Sequence, residues 1–242
     1  MRIAEGIDML SLNLGPMTIH PTILFDKESW ILIDTGMPGS ASAIRELAKQ
    51  AGAGSVPLSA IILTHQDLDH VGGLPEFLAA EDESPIIYAH EDDKDVINGA
   101  KPMIKVSPER LASLLEQLPV VTRNQFEQTF LDPSNPNVES TIADGEKLPI
   151  AGGLTVIHTP GHTPGHVCLY HHTSKTLIAG DAMVVEDGEL KGPRAAVTPD
   201  MEQALKSLKK LLAFDIETVI CYHGGHVQGD VNKRIAALTE QS

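Results

Sequence analysis

The chain has 242 residues, 42% hydrophobic and 21% charged, a composition that indicates a globular protein and excludes collagen-like, coiled-coil and disordered classes. Eighteen basic against thirty-three acidic residues give a net charge of -15, which argues against binding to a nucleic-acid backbone. Two cysteines are too few for a disulfide framework. The sequence shows neither a membrane span nor the apolar core of a signal peptide. We therefore expect a cytoplasmic protein that acts on a small molecule, with no nucleic-acid or membrane partner, and its oligomeric state stays open.

Strands and helices alternate in the first ninety residues. The predicted elements are strands at 19–25 and 30–33, a helix from about Ser40 to Gly52, a buried strand at 60–64, a helix at 72–78 and a strand at 86–89. The polar residues between the first two strands predict a hairpin.

The segment at about 94–140 differs from the rest of the chain. It contains one predicted helix, at 108–118, followed by a polar tract at 132–137. A long segment of this kind inside a compact domain is typical of a lid or a binding wall. We therefore expect one domain over residues 1–242, with a lid or pocket-wall insertion at about 94–140.

Strands resume after this insertion. They are predicted at 154–158, 166–171, 176–179 and 218–222. A helix is predicted before the last strand, with Thr198 as its N-cap and a buried stripe of Met201, Leu205, Leu208 and Leu212. Strands and helices are thus interleaved in both halves, which favours a layered α/β architecture.

Four predicted strands end in residue types that bind metals. These residues are His65, Asp67, Asp69 and His70 after the first strand, and His162, Asp181 and His223 after the other three. Because neighbouring strands bring their ends together, we expect the side chains to converge at one sheet edge. This mixture of imidazoles and carboxylates suits two divalent ions with one bridging carboxylate. The spacing of the first motif assigns His65 and Asp67 to one ion, and the next pair of ligands to the other.

These motifs resemble those of the metallo-β-lactamase-fold hydrolases. The segments that carry the resemblance are Ile33-Asp34-Thr35-Gly36, Thr64-His-Gln-Asp-Leu-Asp-His70, Thr159-Pro-Gly-His-Thr-Pro-Gly-His166, Gly180-Asp181 and His223-Gly224. The resemblance covers nearly the whole chain. It implies a four-layer αβ/βα sandwich with a two-metal site.

The resemblance also implies a ligand set for each of two divalent ions. The implied ligands are His65, Asp67 and His162 for the first ion, Asp69, His70 and His223 for the second, and Asp181 as the bridge. Asp67 stands where the family usually has a second histidine, which makes this an HxDxDH variant. A carboxylate is a harder ligand than imidazole and shifts the preference toward manganese or iron. We expect zinc first and leave manganese and iron open.

The implied reaction is hydrolysis of a small ester, lactone or thioester by a metal-bridging hydroxide. Asp69 is the candidate for orienting the nucleophile or moving its proton, and Tyr222 could assist the leaving group. The alternatives are a phosphodiesterase, iron-dependent redox or sulfur chemistry, and a catalytically silent metal-binding module. Lactonases of the fold that cleave homoserine lactones have a tyrosine three residues after the bridging carboxylate, where this chain has Val184.

The remaining polar residues receive supporting roles or none. Asp34 is interpreted as a buried carboxylate that supports the site, and His166 as a supporting residue. His226 competes with His223 as the last ligand, and His20 could line the pocket. The histidines interpreted as surface or strand residues are His90, His158, His171 and His172.

Overall fold

The computed structural model describes residues 1–80, 84–134, 136–150 and 152–240. In those ranges the strands are β1 Arg2–Ala4, β2 Ile7–Met9, β3 Leu12–Asn13, β4 Thr18–Ile19, β5 Thr22–Phe25, β6 Trp30–Ile33, β7 Leu58–Ile62, β8 Ile86–His90, β9 Ser140–Ile142, β10 Lys147–Leu148, β11 Leu154–His158, β12 Val167–His171, β13 Thr176–Ile178, β14 Val184–Glu186, β15 Glu189–Lys191, β16 Thr218–Cys221 and β17 Gly225–Gln228. The helices are α1 Ala41–Ala51, α2 Leu68–Val71, α3 Leu74–Leu78, α4 Glu91–Ile97, α5 Pro108–Glu116, α6 Val120–Phe130, α7 Met201–Leu208 and α8 Val231–Thr239, with 3-10 turns at Ala195–Val197 and Lys209–Ala213. No helix in these ranges is both long and apolar enough to cross a bilayer.

Most strands belong to two sheets that face each other. The first has the order β1-β2-β5-β6-β7-β8-β9 and the second the order β10-β11-β12-β13-β16-β17. Strands β5 and β6 form the predicted antiparallel hairpin, whereas β6 and β7 are parallel and are connected through α1. An apolar core that includes Ile31, Ile62, Val156 and Leu169 fills the space between the sheets.

Helices cover the outer faces of both sheets. Side chains alternate along a strand, so Ile62 faces the second sheet while Ile61 packs on the opposite face with the helices. Helices α1, α3 and α6 contribute buried side chains to this first outer layer, and α7 and α8 cover the second sheet. The resulting order of helix, sheet, sheet and helix is the predicted αβ/βα sandwich.

The local sequence accounts for helix α1. Ile44 and Ala48 lie one turn apart and are both buried, which gives the helix an apolar face toward the sheet. Gly52 ends the helix with a φ of +105°, a conformation that glycine adopts without strain. The helix predicted from about Ser40 to Gly52 is therefore confirmed.

The 94–140 segment contains more helix than predicted. Besides α5, it contains α6, whose apolar residues are two valines at its start and two phenylalanines in its second half. Phe126 and Phe130 of α6 are nevertheless buried in the core, so tertiary packing fixes this helix. Asn135 of the predicted polar tract lies outside the described residues.

Helix α7 begins later than predicted. Its N-cap is Asp200, whose side chain accepts a hydrogen bond from the Gln203 backbone at 2.9 Å, and not Thr198. The predicted stripe is also wrong at Leu212, which is 39% exposed, whereas Leu211 is buried. The chain tightens into a 3-10 turn after Leu208, and this turn carries Leu212 away from the core.

The metal-binding residue types converge, but not at the edge of one sheet. Strand β7 belongs to the first sheet, while β11, β13 and β16 belong to the second. The turns after these strands meet where the ends of the two facing sheets come together. The prediction of a single sheet edge is therefore wrong, because the sandwich brings strands of different sheets equally close.

Candidate metal centre

His65, Asp67 and His162 form the first group of side chains that could hold an ion. Oδ2 of Asp67 lies 3.3 Å from Nε2 of His65 and 3.1 Å from Nε2 of His162. One ligand atom of each residue lies within 4.8 Å of the others. The turn after β7 supplies two of these residues and the turn after β11 supplies the third, so the group joins the two sheets.

Asp69, His70 and His223 form a second group of the same kind. Oδ2 of Asp69 lies 3.2 Å from Nε2 of His223 and 3.9 Å from Nε2 of His70. The short helix α2 contains Asp69 and His70, and His223 follows β16. The structure therefore places a second cluster of imidazole and carboxylate groups beside the first.

Asp181 lies between the two groups. Its Oδ1 is 3.3 Å from Nε2 of His70, and its Oδ2 is 3.4 Å from Nε2 of both His162 and His223. It thus contacts histidines of the first and the second group. This position is the one that a bridging carboxylate would occupy.

The orientation of these groups fits metal ions. Among the described residues, the buried atoms Nε2 of His65, Nε2 of His70 and Oδ1 of Asp181 make no hydrogen bond. An unsatisfied buried polar atom costs about 1–3 kcal/mol, so such atoms need a partner. Imidazole nitrogens and carboxylate oxygens are ligands of zinc, manganese and iron. The residues present therefore fit the two divalent ions.

The electrostatics of the centre favour cations. Burial raises the pKa of the Asp67 carboxyl, but His65, His162 and Lys105 outweigh it and hold this pKa well below its usual range. Burial opposes ionisation of Asp181 too, yet the neighbouring histidines lower its pKa strongly. Burial lowers the pKa of His223, but its hydrogen bonds to the carboxylates of Asp181 and Asp69 outweigh this effect and raise the pKa to about 9. The carboxylates are therefore ionised and each is compensated by a positive group.

Asp34 fixes the orientation of His70. Its Oδ2 accepts a hydrogen bond from Nδ1 of His70 at 2.8 Å, which directs Nε2 of this ring toward the centre. The same carboxylate accepts two hydrogen bonds from Thr64, through its backbone N–H and its hydroxyl, both at 2.8 Å. Asp34 reaches this position with a φ of +62°, which is unusual for a residue other than glycine. The structure thus gives Asp34 the supporting position that the sequence predicts.

Thr198 orients His162 in the same way. The Thr198 hydroxyl donates to the Arg194 carbonyl at 2.8 Å, so it accepts the hydrogen bond from Nδ1 of His162 at 3.1 Å. Burial lowers the pKa of His162, which favours its neutral form. Nε2 of His162 therefore presents a lone pair to the centre. Sequence reasoning missed this contact, because Thr198 has the features of a helix N-cap.

Asp93 holds two of the loops together and was not predicted. It is fully buried, and its oxygens accept hydrogen bonds from the backbone and the side-chain amide of Gln66 at 3.1 and 2.9 Å. They also accept from the Thr163 hydroxyl at 2.7 Å and the Gly165 N–H at 2.8 Å. One signal could have identified it, because Asp93 shares a helix face with the apolar residues Val96 and Ile97.

Lys105 is a second residue that sequence reasoning missed. It belongs to the loop between α4 and α5, and its Nζ lies 2.6 Å from Oδ2 of Asp67 and 2.7 Å from Nε2 of His162. Its side chain is 14% exposed. The 94–140 segment therefore inserts a cation into the first group of candidate ligands.

Two aromatic residues adjoin the ligand groups. His166 accepts a hydrogen bond from the Asp181 backbone at 3.0 Å, and burial lowers its pKa far enough to keep it neutral. The Tyr222 hydroxyl donates to the Asp69 carbonyl at 2.5 Å, and its ring centroid is 3.8 Å from that of His70. Both side chains are buried. Tyr222 therefore touches the ligand-bearing turn, and any contribution to the reaction would act through Asp69.

His223, and not His226, contacts Asp69 and Asp181. His226 lies within β17, opposite Ile220. Nδ1 of His20 lies 3.0 Å from the Leu10 carbonyl, and burial together with the nearby His223 and His226 lowers its pKa. His20 is thus a buried neighbour of the centre.

His90, Asp92 and His158 form a third cluster of metal-binding residue types, in which both histidines already make hydrogen bonds. Nδ1 of His90 accepts from the Asp92 backbone at 3.2 Å, and Nε2 of His158 lies 2.8 Å from the Pro164 carbonyl, to which it donates. The two rings are stacked with centroids 3.9 Å apart and planes 15° apart. The lone pair of an imidazole nitrogen lies in the plane of its ring, so two stacked and nearly parallel rings cannot both direct a lone pair at one ion. We therefore interpret this cluster as structural.

Sequence comparison identifies the family. The profile of the Metallo-beta-lactamase superfamily, Lactamase_B, matches residues 14–223, and the chain therefore belongs to this superfamily. The chain is 33% identical over 232 residues to a probable metallo-hydrolase, YflN of Bacillus subtilis (strain 168), covering 91% of this chain and 84% of that protein. It is 24% identical over 226 residues to the atrochrysone carboxyl ACP thioesterase of Aspergillus fumigatus, covering 92% of this chain and 56% of that enzyme.

Solved structures show the same fold. The metallo-beta-lactamase family protein TTHA1429 of Thermus thermophilus is 25% identical, with a TM-score of 0.69 over 99% of this chain and 80% of that one. TTHA1623, solved in a di-iron-bound form, is 27% identical, with a TM-score of 0.62 over 90% of this chain and 94% of that one. The predicted fold class is therefore confirmed.

Proposed function

We propose that the protein is a hydrolase with two divalent metal ions that cleaves a small ester, lactone or thioester. The observation that carries this proposal is the position of Asp181 between two groups of three ligands. Membership of the superfamily and the name of the metallo-hydrolase relative support hydrolysis at the family level. We place the reaction in the cytoplasm and expect no nucleic-acid or membrane partner.

The proposed ligands are the seven residues that the structure brings together. They are His65, Asp67 and His162 for the first ion, Asp69, His70 and His223 for the second, and Asp181 for both. Two bound divalent ions would acidify a water molecule and stabilise the negative charge that develops on the carbonyl oxygen of the substrate. We favour zinc and keep manganese open.

The chain's own contribution is orientation and proton transfer. The side chain of Asp69 is 24% exposed, against 9% for Asp181 and 0% for His70, so Asp69 is open to solvent and substrate. Its carboxylate can orient the attacking water, accept its proton and deliver that proton to the leaving group. Tyr222 holds the Asp69 carbonyl and is proposed as a positioning residue for this step.

The 94–140 segment is proposed to form the wall of the substrate pocket within a single domain. A cavity of about 280 Å³ is lined by Val96, Met103, Val106, Leu111 and Phe130, among others. Met103 and Val106 flank Lys105, which reaches the ligands, so the cavity and the centre share one loop. Its apolar lining favours an apolar acyl group, and the thioesterase among the relatives is consistent with an acyl substrate.

Iron-dependent redox chemistry is a second candidate. Asp67 provides a carboxylate where the family usually has histidine, and TTHA1623 is a similar protein in a di-iron-bound form. The two candidates predict different metals and different products.

The experiment loads the protein with Zn²⁺, Mn²⁺ or Fe²⁺ and measures turnover of ester, lactone, thioester and phosphodiester substrates. We expect ester-type hydrolysis with zinc or manganese, and a loss of at least a hundredfold in D67A. D92A, which removes an exposed acid outside the centre, should retain full activity. Phosphodiester cleavage alone, or oxygen consumption with iron and no hydrolysis, would contradict the proposal.

A further inference from the structure

The contacts of Lys105 resemble those of a metal ion. Its Nζ lies between Oδ2 of Asp67 and Nε2 of His162, at 2.6 and 2.7 Å, and these atoms belong to the first ligand group. Ligand distances to zinc are about 2.0–2.2 Å. An ammonium group at this place and an ion bound by the same two atoms therefore exclude each other.

The hydrogen bonds of His162 show why Lys105 and a metal ion cannot be bound at the same time. Its Nδ1 carries the proton, because it donates to the Thr198 hydroxyl. Nε2 therefore has a single lone pair, which can accept a hydrogen bond from Lys105 or bind a metal, but not both.

In the second ligand group, the carboxylates contact a histidine and not a lysine. Oδ2 of Asp69 contacts Nε2 of His223 at 3.2 Å, and Oδ2 of Asp181 contacts the same nitrogen at 3.4 Å. At this position both carboxylates contact a histidine that is itself a proposed ligand, whereas at the first position Asp67 contacts a lysine from another loop. The two positions are therefore not equivalent toward an incoming ion.

The loop allows Lys105 to leave without unfolding. The neighbouring Ile104 N–H donates to the side-chain carbonyl of Gln66 at 3.3 Å, which ties the backbone to the ligand-bearing turn. A lysine side chain has a flexible four-carbon stem, so its ammonium can withdraw while the backbone stays in place.

We propose that Lys105 is a tethered cation that competes with the metal ion for the first position. This inference rests on the proposed metal centre. When the binding-competent state is only partly populated, the apparent dissociation constant rises by the inverse of its population. If Lys105 occupies the position nine-tenths of the time, the first ion binds about tenfold more weakly than it otherwise would. The protein would then load the second position before the first.

The test compares K105M with the wild-type protein by zinc titration against a chelator of known affinity. We expect two unequal dissociation constants in the wild type and a tightening of the weaker one by about tenfold in K105M. K101M is the matched control, because Lys101 belongs to the same loop but is 66% exposed and pairs with Asp95. It should behave like the wild type. Equal zinc affinities in K105M and wild type would overturn the competition, and no zinc binding by either would overturn the proposed metal centre as well.

Lysine labelling separates direct competition from a general effect of charge. Acylation of surface amines, read by mass spectrometry, should modify Lys105 slowly in metal-free protein and several-fold faster at saturating zinc. Lys101 should react at the same rate in both states. Unchanged or slower labelling of Lys105 with zinc would show that its ammonium does not leave, and the inference would be wrong.

Discussion

Oδ2 of Asp34 lies 2.8 Å from Nδ1 of His70, across 36 residues of sequence. The contact joins the residue that follows β6 to helix α2 and thereby orients a ligand from the second group. Asp34 also accepts both hydrogen bonds from Thr64, whose hydroxyl lies 3.0 Å from Nδ1 of His65. One buried carboxylate thus orients histidines of both groups.

The variant D34N should weaken metal binding although it leaves all seven proposed ligands in place. The amide has one acceptor oxygen in place of two, so at least one buried donor from Thr64 or His70 loses its partner. Changes to groups that orient metal ligands typically cost about 10–100-fold in affinity. The measurement is zinc affinity by chelator competition. D26N is the control, since Asp26 accepts backbone hydrogen bonds in a distant exposed turn, and wild-type affinity in D34N would contradict the account.

D93N should destabilise the fold at the junction of two loops. Either orientation of the amide turns its NH₂ group toward at least one buried N–H, from Gln66 or Gly165. An unsatisfied buried donor costs about 1–3 kcal/mol, and urea unfolding of metal-free protein measures this loss. D95N, two residues further along the same helix, removes an exposed ion pair with Lys101 and should leave the unfolding midpoint unchanged. Equal midpoints for both variants would refute the role of Asp93.

The sequence predicted those features that depend on local patterns. Apolar runs give β6 and β11 their observed bounds, and metal-binding residue types directly follow the strands that bring them together. Helix α6 was not predicted, because Phe126 and Phe130 are a single apolar pair among polar residues and the two valines at the start of the helix are exposed.

Long-range polar contacts were the least predictable part of the site. Lys105 and Asp67 are 38 residues apart, and Asp93 and Thr163 are 70 apart. In sequence, Asp93 belongs to an acidic run that is typical of a solvated helix face. Only the fold buries Asp93 and half-buries Lys105 and Asp67, and brings each of them to its partner.

The cysteine thiols should be inert in the folded protein. Burial raises the pKa of Cys168 to about 12, although a hydrogen bond with Thr159 opposes the shift, and burial also raises that of Cys221. Because thiolate is the reactive form, neither cysteine should react with an aromatic disulfide reagent at pH 8, and both should react in urea. The raised pKa stabilises the fold below the ordinary thiol pKa near 9, and this contribution is lost as the pH rises toward 12. Reaction of one thiol in the folded protein at pH 8 would contradict this burial.

V106F should narrow the proposed substrate pocket. Val106 lines the cavity beside Lys105, and a larger side chain there would displace one or two methylene groups of a long acyl chain, each worth about 0.8 kcal/mol. KM for long-chain esters should rise about tenfold, with little change for acetate esters and none in metal content. V120F adds the same ring at an exposed position of the 94–140 segment and should have no effect. Equal changes for short and long substrates would argue against the pocket.

The proposed reaction requires that the seven converging residues hold two divalent ions. The most direct measurement is zinc per chain by plasma mass spectrometry, at a defined free zinc concentration that saturates the wild-type protein. We expect two ions in the wild type and one in each of D67A and D69A, since each variant removes a ligand from one group. A single ion or none in the wild type, or two ions in both variants, would show that the seven residues do not form a two-metal centre.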